Sequence, residues 1–116
     1  LLLLLAHPDD ESFFCARVVA RLAAEGRPAG LVCCTRGQQG ALGTPPVATR
    51  ETVGRVREGE LRAACEVLGL DLVALLDYED RRLGDADPDE VRRTFVGHLR
   101  RERPRVVATF DPNGLT

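Results

Sequence analysis

An unbroken apolar run, Leu1 to Ala6, passes directly into His7-Pro8-Asp9-Asp10-Glu11. A run that short, with no polar alternation, suits a parallel strand buried on both faces. The polar cluster then falls where a strand ends and a helix begins. In open α/β sheets that edge is where ligands bind. One imidazole and three carboxylates within five residues suffice to hold a divalent metal and leave a carboxylate free for proton transfer.

The rest of the chain repeats the strand-then-helix pattern. Residues 12–25 read as a helix with Phe14, Val18, Val19, Leu22 and Ala23 on its inward face, capped by Ser12 or Asp10 and stopped by Gly26. Leu31 to Cys34 is the second strand, and residues 35–49 form a long loop rich in Gly and Pro. Residues 50–68 read as the second helix, with Val53, Val56, Leu61, Ala64 and Leu68 apolar and Gly69 as its stop. A third strand at 72–76, a polar loop at 78–88, a helix at 89–101 carrying Val91, Phe95 and Leu99 inward, and a strand at 106–110 complete the pattern. The order β-α-β-α-β-α-β predicts an α/β fold with a parallel sheet and right-handed crossovers. Polar residues follow every strand: His7, Asp9 and Asp10; Thr35-Arg36-Gly37; Tyr78 and Asp80; Asp111 and Asn113. Parallel strands share one carboxyl edge, so these clusters are expected to meet there.

The 116 residues suffice for one core. A formal net charge of -2 gives no reason to expect nucleic acid or an acidic membrane as partner. Leu1 to Leu5 is too short to span a bilayer and has no basic stretch before it, so no targeting segment is expected. The four cysteines form no CxxC pair, which suits buried free thiols in a cytoplasmic protein. The chain opens on Leu inside a strand and stops in the loop Asp111-Pro112-Asn113-Gly114-Leu115-Thr116, so both ends read as trimmed.

His7 and Asp10 sit three apart across the strand-to-helix turn, spaced to aim at one ion. Imidazole nitrogen with carboxylate oxygen suits zinc or a similar first-row metal. Asp9, between them, is the candidate general base for a water the metal activates. Glu11 falls at the helix start, where the dipole favours a carboxylate. The competing reading has the acids serve only as caps, and capping has no use for His7. A catalytic zinc usually takes three protein ligands, and only two are evident; His98 reads as a solvated helix residue. Arg57 and Glu60 are spaced either as a surface ion pair worth about 0.5 kcal/mol or to let Arg57 reach a substrate oxygen or phosphate. Residues 37–40 lack the P-loop lysine and Ser/Thr, and no GxGxxG follows the first strand, which argues against nucleotide binding by the Thr35–Gly43 loop.

Five segments carry a resemblance: Ala6-His7-Pro8-Asp9-Asp10-Glu11; Thr35-Arg36-Gly37; Arg57-Glu58-Gly59-Glu60-Leu61 with Ala64 and Leu68-Gly69; Asp77-Tyr78-Glu79-Asp80; and Arg103-Pro104 before Val106-Val107 with Asp111-Pro112-Asn113-Gly114. In this order the chain resembles the LmbE-like, or PIG-L, family of zinc-dependent N-acetylglucosaminyl deacetylases. The resemblance implies a Rossmann-like three-layer sandwich, with residues 1–116 the N-terminal portion of a single LmbE-like deacetylase domain. It implies metal-dependent removal of an N-acetyl or other N-acyl group from an amino sugar or its conjugate. His7 and Asp10 become zinc ligands, Asp9 the general base, and Arg57, Asp80 and Asn113 substrate-binding residues. The family's third ligand and an oxyanion-stabilising histidine come from an HxxH-type segment after the DPNG loop, so this chain alone is expected to be inactive. Where the family has a Gly-Gly pair this chain has Cys15-Ala16, and Gln38 replaces the acid after TxG. The implied partner is an N-acetylated amino-sugar-type small molecule, with no nucleic acid and no membrane; a homo-oligomer stays open. The alternative is a non-catalytic Rossmann-like binding module whose acidic cluster only caps a helix.

Overall fold

The computed structural model describes residues 1–111. Strand β1 (Leu2–Leu5) leads through a π-helical turn (Glu11–Cys15) into α1 (Ala16–Ala24). Then follow β2 (Gly30–Thr35), α2 (Val53–Leu68), β3 (Asp71–Tyr78), a 3-10 turn (Leu83–Asp85), α3 (Pro88–Glu102) and β4 (Val107–Ala108). All pairings are parallel and the strand order is β3-β2-β1-β4. Leu2 stands opposite Gly30 on one side and Val107 on the other. The chain thus walks outward from β1 to β3, then crosses back to lay β4 against the free side of β1. That reversal is a topological switch point, and ligands of open α/β sheets bind outside the carboxyl ends of the strands there. His7 follows β1 at this point.

The two faces of β1 and β2 bury different layers. Leu3, Leu5, Leu31 and Cys33 pack with Val19 of α1 and with Leu61 and Cys65 of α2. Leu2, Leu4 and Val32 pack on the opposite face, with Phe95 and Leu99 of α3 against them. Helices therefore cover both faces, the three-layer sandwich expected. Alternate residues of these strands serve opposite layers, as the period of two requires. This is why the leucine run needs no polar position.

The first helix departs from its expected form. A single helix over 12–25 would turn Phe14 and Val18 inward. Instead they are 65% and 57% exposed, and Ala23 is exposed too. The wider π turn at 11–15 changes the angular position of every residue after it, so Val19 becomes the buried anchor. Phe14 meets Phe110 edge-on, with ring centroids 5.6 Å apart. Helix α2 begins at Val53 rather than residue 50, because Thr49 N donates to Thr52 Oγ1 (2.9 Å) and closes a turn before it. Strand β3 runs longer than expected, and β4 pairs only with Leu2 and Leu3.

Helix α3 has Pro88 in its first turn, and the Asp87 side chain accepts from Asp89 N at 2.8 Å. Asp87→Ala is expected to lower stability by about 1 kcal/mol, within the usual range for losing a cap. Urea unfolding monitored by circular dichroism checks this.

Cys33, Cys34 and Cys65 are buried, and all four cysteines are free. Burial pushes the Cys33 thiol up to about 12, and the Cys34 and Cys65 thiols up to about 11, from an ordinary 9.0. Above pH 9 the unfolded chain therefore releases protons that the folded chain keeps. The thiols' contribution to stability is complete below pH 9 and drains away as pH rises toward 12. The urea midpoint should fall between pH 8 and pH 10.5, and replacing the three thiols with alanine should flatten that fall.

Candidate active site

The site grows from the turn after β1. His7 N donates to Asp10 Oδ2 at 2.9 Å, folding the Asp10 carboxylate back over the turn. The His7 ring lies between two carboxylates: Nδ1 is 3.7 Å from Asp10 Oδ2, and Nε2 is 3.1 Å from Asp80 Oδ1. Asp80 reaches it from the turn after β3, and Gln39 N donates to its other oxygen at 2.8 Å. Three strand ends thus meet at the carboxyl edge, as the repeated strand-then-polar pattern requires. Asn113, the fourth expected contributor, lies outside the described residues.

Asp9 occupies the left-handed half of conformational space, at φ 121°. A non-glycine residue held in such a region costs on the order of 1–3 kcal/mol and is found most often where function demands it. Its N–H donates to Glu11 Oε2 (3.0 Å), and its Oδ2 accepts from Arg57 Nη2 (2.7 Å). Arg57 also donates to Gly37 O at 3.1 Å and to Pro8 O. Spacing alone left Arg57 between a pair with Glu60 and a place in the site; its ion pair is with Asp9. Burial raises the Asp9 carboxyl above its ordinary value. Arg57 and His7 oppose that rise, and Asp10 and Glu11 add to it.

The capping reading fails here. Neither Asp10 nor Ser12 caps the following helix. Asp10 accepts from His7 N, while Glu11 accepts from Asp9 N and from Ser12 Oγ (2.6 Å). Glu11 opens the first helical turn as expected, and it is buried there, 1% exposed. The acids fold back on their own turn and fix its shape.

Thr35, Arg36 and Gly37, expected at the carboxyl edge but given no individual task by the sequence, make up the supporting layer. Thr35, fully buried at the end of β2, donates from Oγ1 to Ala6 O (3.0 Å) and accepts from Gly37 N (3.1 Å), tying two strand ends together. Arg36 donates to Glu58 Oε2 at 3.0 Å and to Asp77. Gly37 sits at φ 61°, and a Cβ there would stand 1.9 Å from Arg57 Nη1. The Thr-Arg-Gly run thus joins β2 to β1, braces α2 and leaves room for Arg57.

His7, Asp9, Gln39, Arg57, Asp80 and Arg81 line an open cleft of about 510 Å³. His98 takes no part. It lies near the end of α3, the helix that returns the chain to the amino edge of the sheet. It is half-buried rather than solvated, its Nδ1 enclosed with no partner among the described residues.

The donor chemistry suits a metal ion as far as it goes. Nitrogen and oxygen donors at about 2.0–2.2 Å from a tetrahedral ion stand roughly 3.4 Å apart. His7 Nδ1 and Asp10 Oδ2, at 3.7 Å, come within a few tenths of that edge. No group of three such side chains is placed to hold an ion among the described residues. The turn brings together two candidate donors, His7 and Asp10.

Known proteins resemble this chain in sequence and in fold. A probable N-acetyl-α-D-glucosaminyl L-malate deacetylase of Bacillus anthracis is 36% identical over 112 residues, covering 96% of this chain and 50% of the relative. The solved N,N'-diacetylchitobiose deacetylase of Pyrococcus horikoshii superposes with a TM-score of 0.80 at 26% identity, over 91% of this chain and 38% of that one. GalB, the 4-carboxy-2-hydroxymuconate hydratase of Pseudomonas putida, superposes with a TM-score of 0.80 at 28% identity, over 97% and 48%. The chain spans about half the length of the curated relatives it matches. The family model described as "PIG-L: GlcNAc-PI de-N-acetylase" matches residues 2–115, and the chain belongs to that family.

Proposed function

We propose that residues 1–116 form the N-terminal portion of a single metal-dependent N-deacetylase domain. Its reaction is hydrolysis of an N-acetyl or related N-acyl group on an amino sugar or its conjugate. The observation that carries this reading is Asp9. It is held at φ 121° between two candidate ligands, its carboxylate at the mouth of a cleft rather than on a helix end. His7 and Asp10 would hold the metal, for which their donor atoms suit zinc. When bound, zinc lowers the pKa of water to about 7 and polarises a carbonyl oxygen.

The chain's own residues then divide the work. Asp9 Oδ2 is held by Arg57, which leaves Oδ1 to take the proton from the attacking water. The water oxygen bonds to the acyl carbon, the carbon–nitrogen bond breaks, and Asp9 returns the proton to the departing amine. The products are acetate and the free amino sugar. Burial raises the Asp9 carboxyl, a shift in the direction that favours a group which must accept a proton and then release it. Arg57 and Asp80 stand in the wall of the substrate cleft. The free thiols support a cytoplasmic location.

The likeness to GalB favours a second reading, hydration of a carboxylated unsaturated substrate by the same cleft. One assay separates them. The complete protein, loaded with zinc, is offered an N-acetylglucosamine conjugate and a carboxylated hydroxymuconate. Acetate release from the first supports deacetylation; turnover of the second alone overturns it.

A further inference from the structure

We propose that Asp80 is a positioning residue for the metal centre: by accepting a hydrogen bond from Nε2–H of His7, it fixes the imidazole tautomer whose Nδ1 is free to bind the ion. The inference rests on the reading of His7 and Asp10 as ligands. Asp80 is 5% exposed and stands 73 residues from His7 in sequence. Both of its oxygens already serve the protein: Oδ1 lies 3.1 Å from His7 Nε2, and Oδ2 accepts from Gln39 N at 2.8 Å. A carboxylate only accepts, so the ring nitrogen facing it must donate. A neutral imidazole carries one N–H. With that proton on Nε2, Nδ1 keeps its lone pair.

The other side of the ring agrees. Nδ1 is 3.7 Å from Asp10 Oδ2, too far for a hydrogen bond but close to the spacing of two donors on one ion. Asp10 Oδ2 takes its proton donor from the His7 backbone instead, at 2.9 Å. Asp10 attracts a proton to Nδ1 only through space at 3.7 Å, without a hydrogen bond to fix it there, whereas Asp80 at 3.1 Å accepts one from Nε2. A carboxylate behind a ligating histidine orients the ring and raises its basicity, and losing it typically costs 10–100-fold in metal affinity. Through Gln39 N the same carboxylate also grips the loop between β2 and α2, so the cleft wall and the ligand share one anchor.

The test needs only the unloaded chain, zinc chloride and nitrogen-detected NMR, since the sequence contains two histidines. At pH 8 the metal-free chain should show His7 as the Nε2–H tautomer; a dominant Nδ1–H form overturns the proposal. Asp80→Asn should lose that preference and bind zinc 10–100-fold more weakly, measured against a chromophoric chelator, and Asp80→Glu should recover part of both. Unchanged tautomer and affinity in Asp80→Asn overturn the proposal. Asp10→Ala separates the two levels of the argument. If Asp10→Ala loses zinc while Asp80→Asn keeps it, only the role of Asp80 fails. If Asp10→Ala binds zinc as the unaltered chain does, the ligand reading beneath it fails as well. Should Asp80→Asn not fold, the tautomer in the unaltered chain decides.

Discussion

Asp9→Asn in the complete protein is expected to lower kcat by about 10²–10⁴-fold, the usual contribution of a general acid/base group. The amide matches the carboxylate in shape, so Arg57 can still donate to the side-chain oxygen and the turn should keep its form. What disappears is an atom that accepts and returns a proton. KM should change little, because Asp9 acts on the water and the leaving amine rather than on the resting substrate. Thermal unfolding should move by far less than the rate. A variant that loses stability but retains kcat would show that Asp9 shapes the turn and nothing more.

Gly37→Ala is expected to cost stability and turnover together. At φ 61° an alanine pays about 1–2 kcal/mol for the left-handed conformation alone. Its Cβ would also stand 1.9 Å from Nη1 and 2.6 Å from Cζ of Arg57. Arg57 is long enough to swing away, but it would then release Gly37 O, Pro8 O and Asp9 Oδ2. A hydrogen bond to a charged group contributes about 1.5–3 kcal/mol, so losing even one of the three brings the total to at least roughly 3 kcal/mol. In a domain of this size each kcal/mol shifts Tm by about 4–8 °C, giving a fall of on the order of 10 °C or more. Gly97→Ala is the control. It lies mid-helix in α3 with nothing within 4 Å of the added Cβ and should hold or raise Tm. Arg57→Ala should reproduce the rate loss of Gly37→Ala. A Gly37→Ala protein that is less stable yet fully active would separate Arg57 from the positioning of Asp9.

The architecture was legible because its signals are local. The apolar runs at 1–6 and 31–34, the glycines closing α1 and α2, and the polar residues after each strand are enough to order the sheet. The π turn was not legible. Glu11 to Cys15 read as an ordinary helical start, and the extra residue in that turn left Phe14 and Val18 outside. The strain at Asp9 has little sequence signal: aspartate visits the left-handed helical region more than most residues, but φ 121° lies well outside it. The partners of Arg57 and Asp80 depend on contacts 48 and 73 residues apart, which only the folded sheet edge decides. Glu11 shows the limit of a local rule. A carboxylate at a helix start was legible, but its burial and its bond from Asp9 N were not.

The central claim is that His7 and Asp10 hold the metal while Asp9 carries the proton. Zinc titration by calorimetry tests it most directly, on the unaltered chain and on three variants: His7→Ala, Asp10→Ala and Asp9→Ala. With two donors the unaltered chain should bind weakly, Asp9→Ala should match it, and the other two should lose most of that binding. Equal affinity across all four, or a loss confined to Asp9→Ala, would contradict the claim.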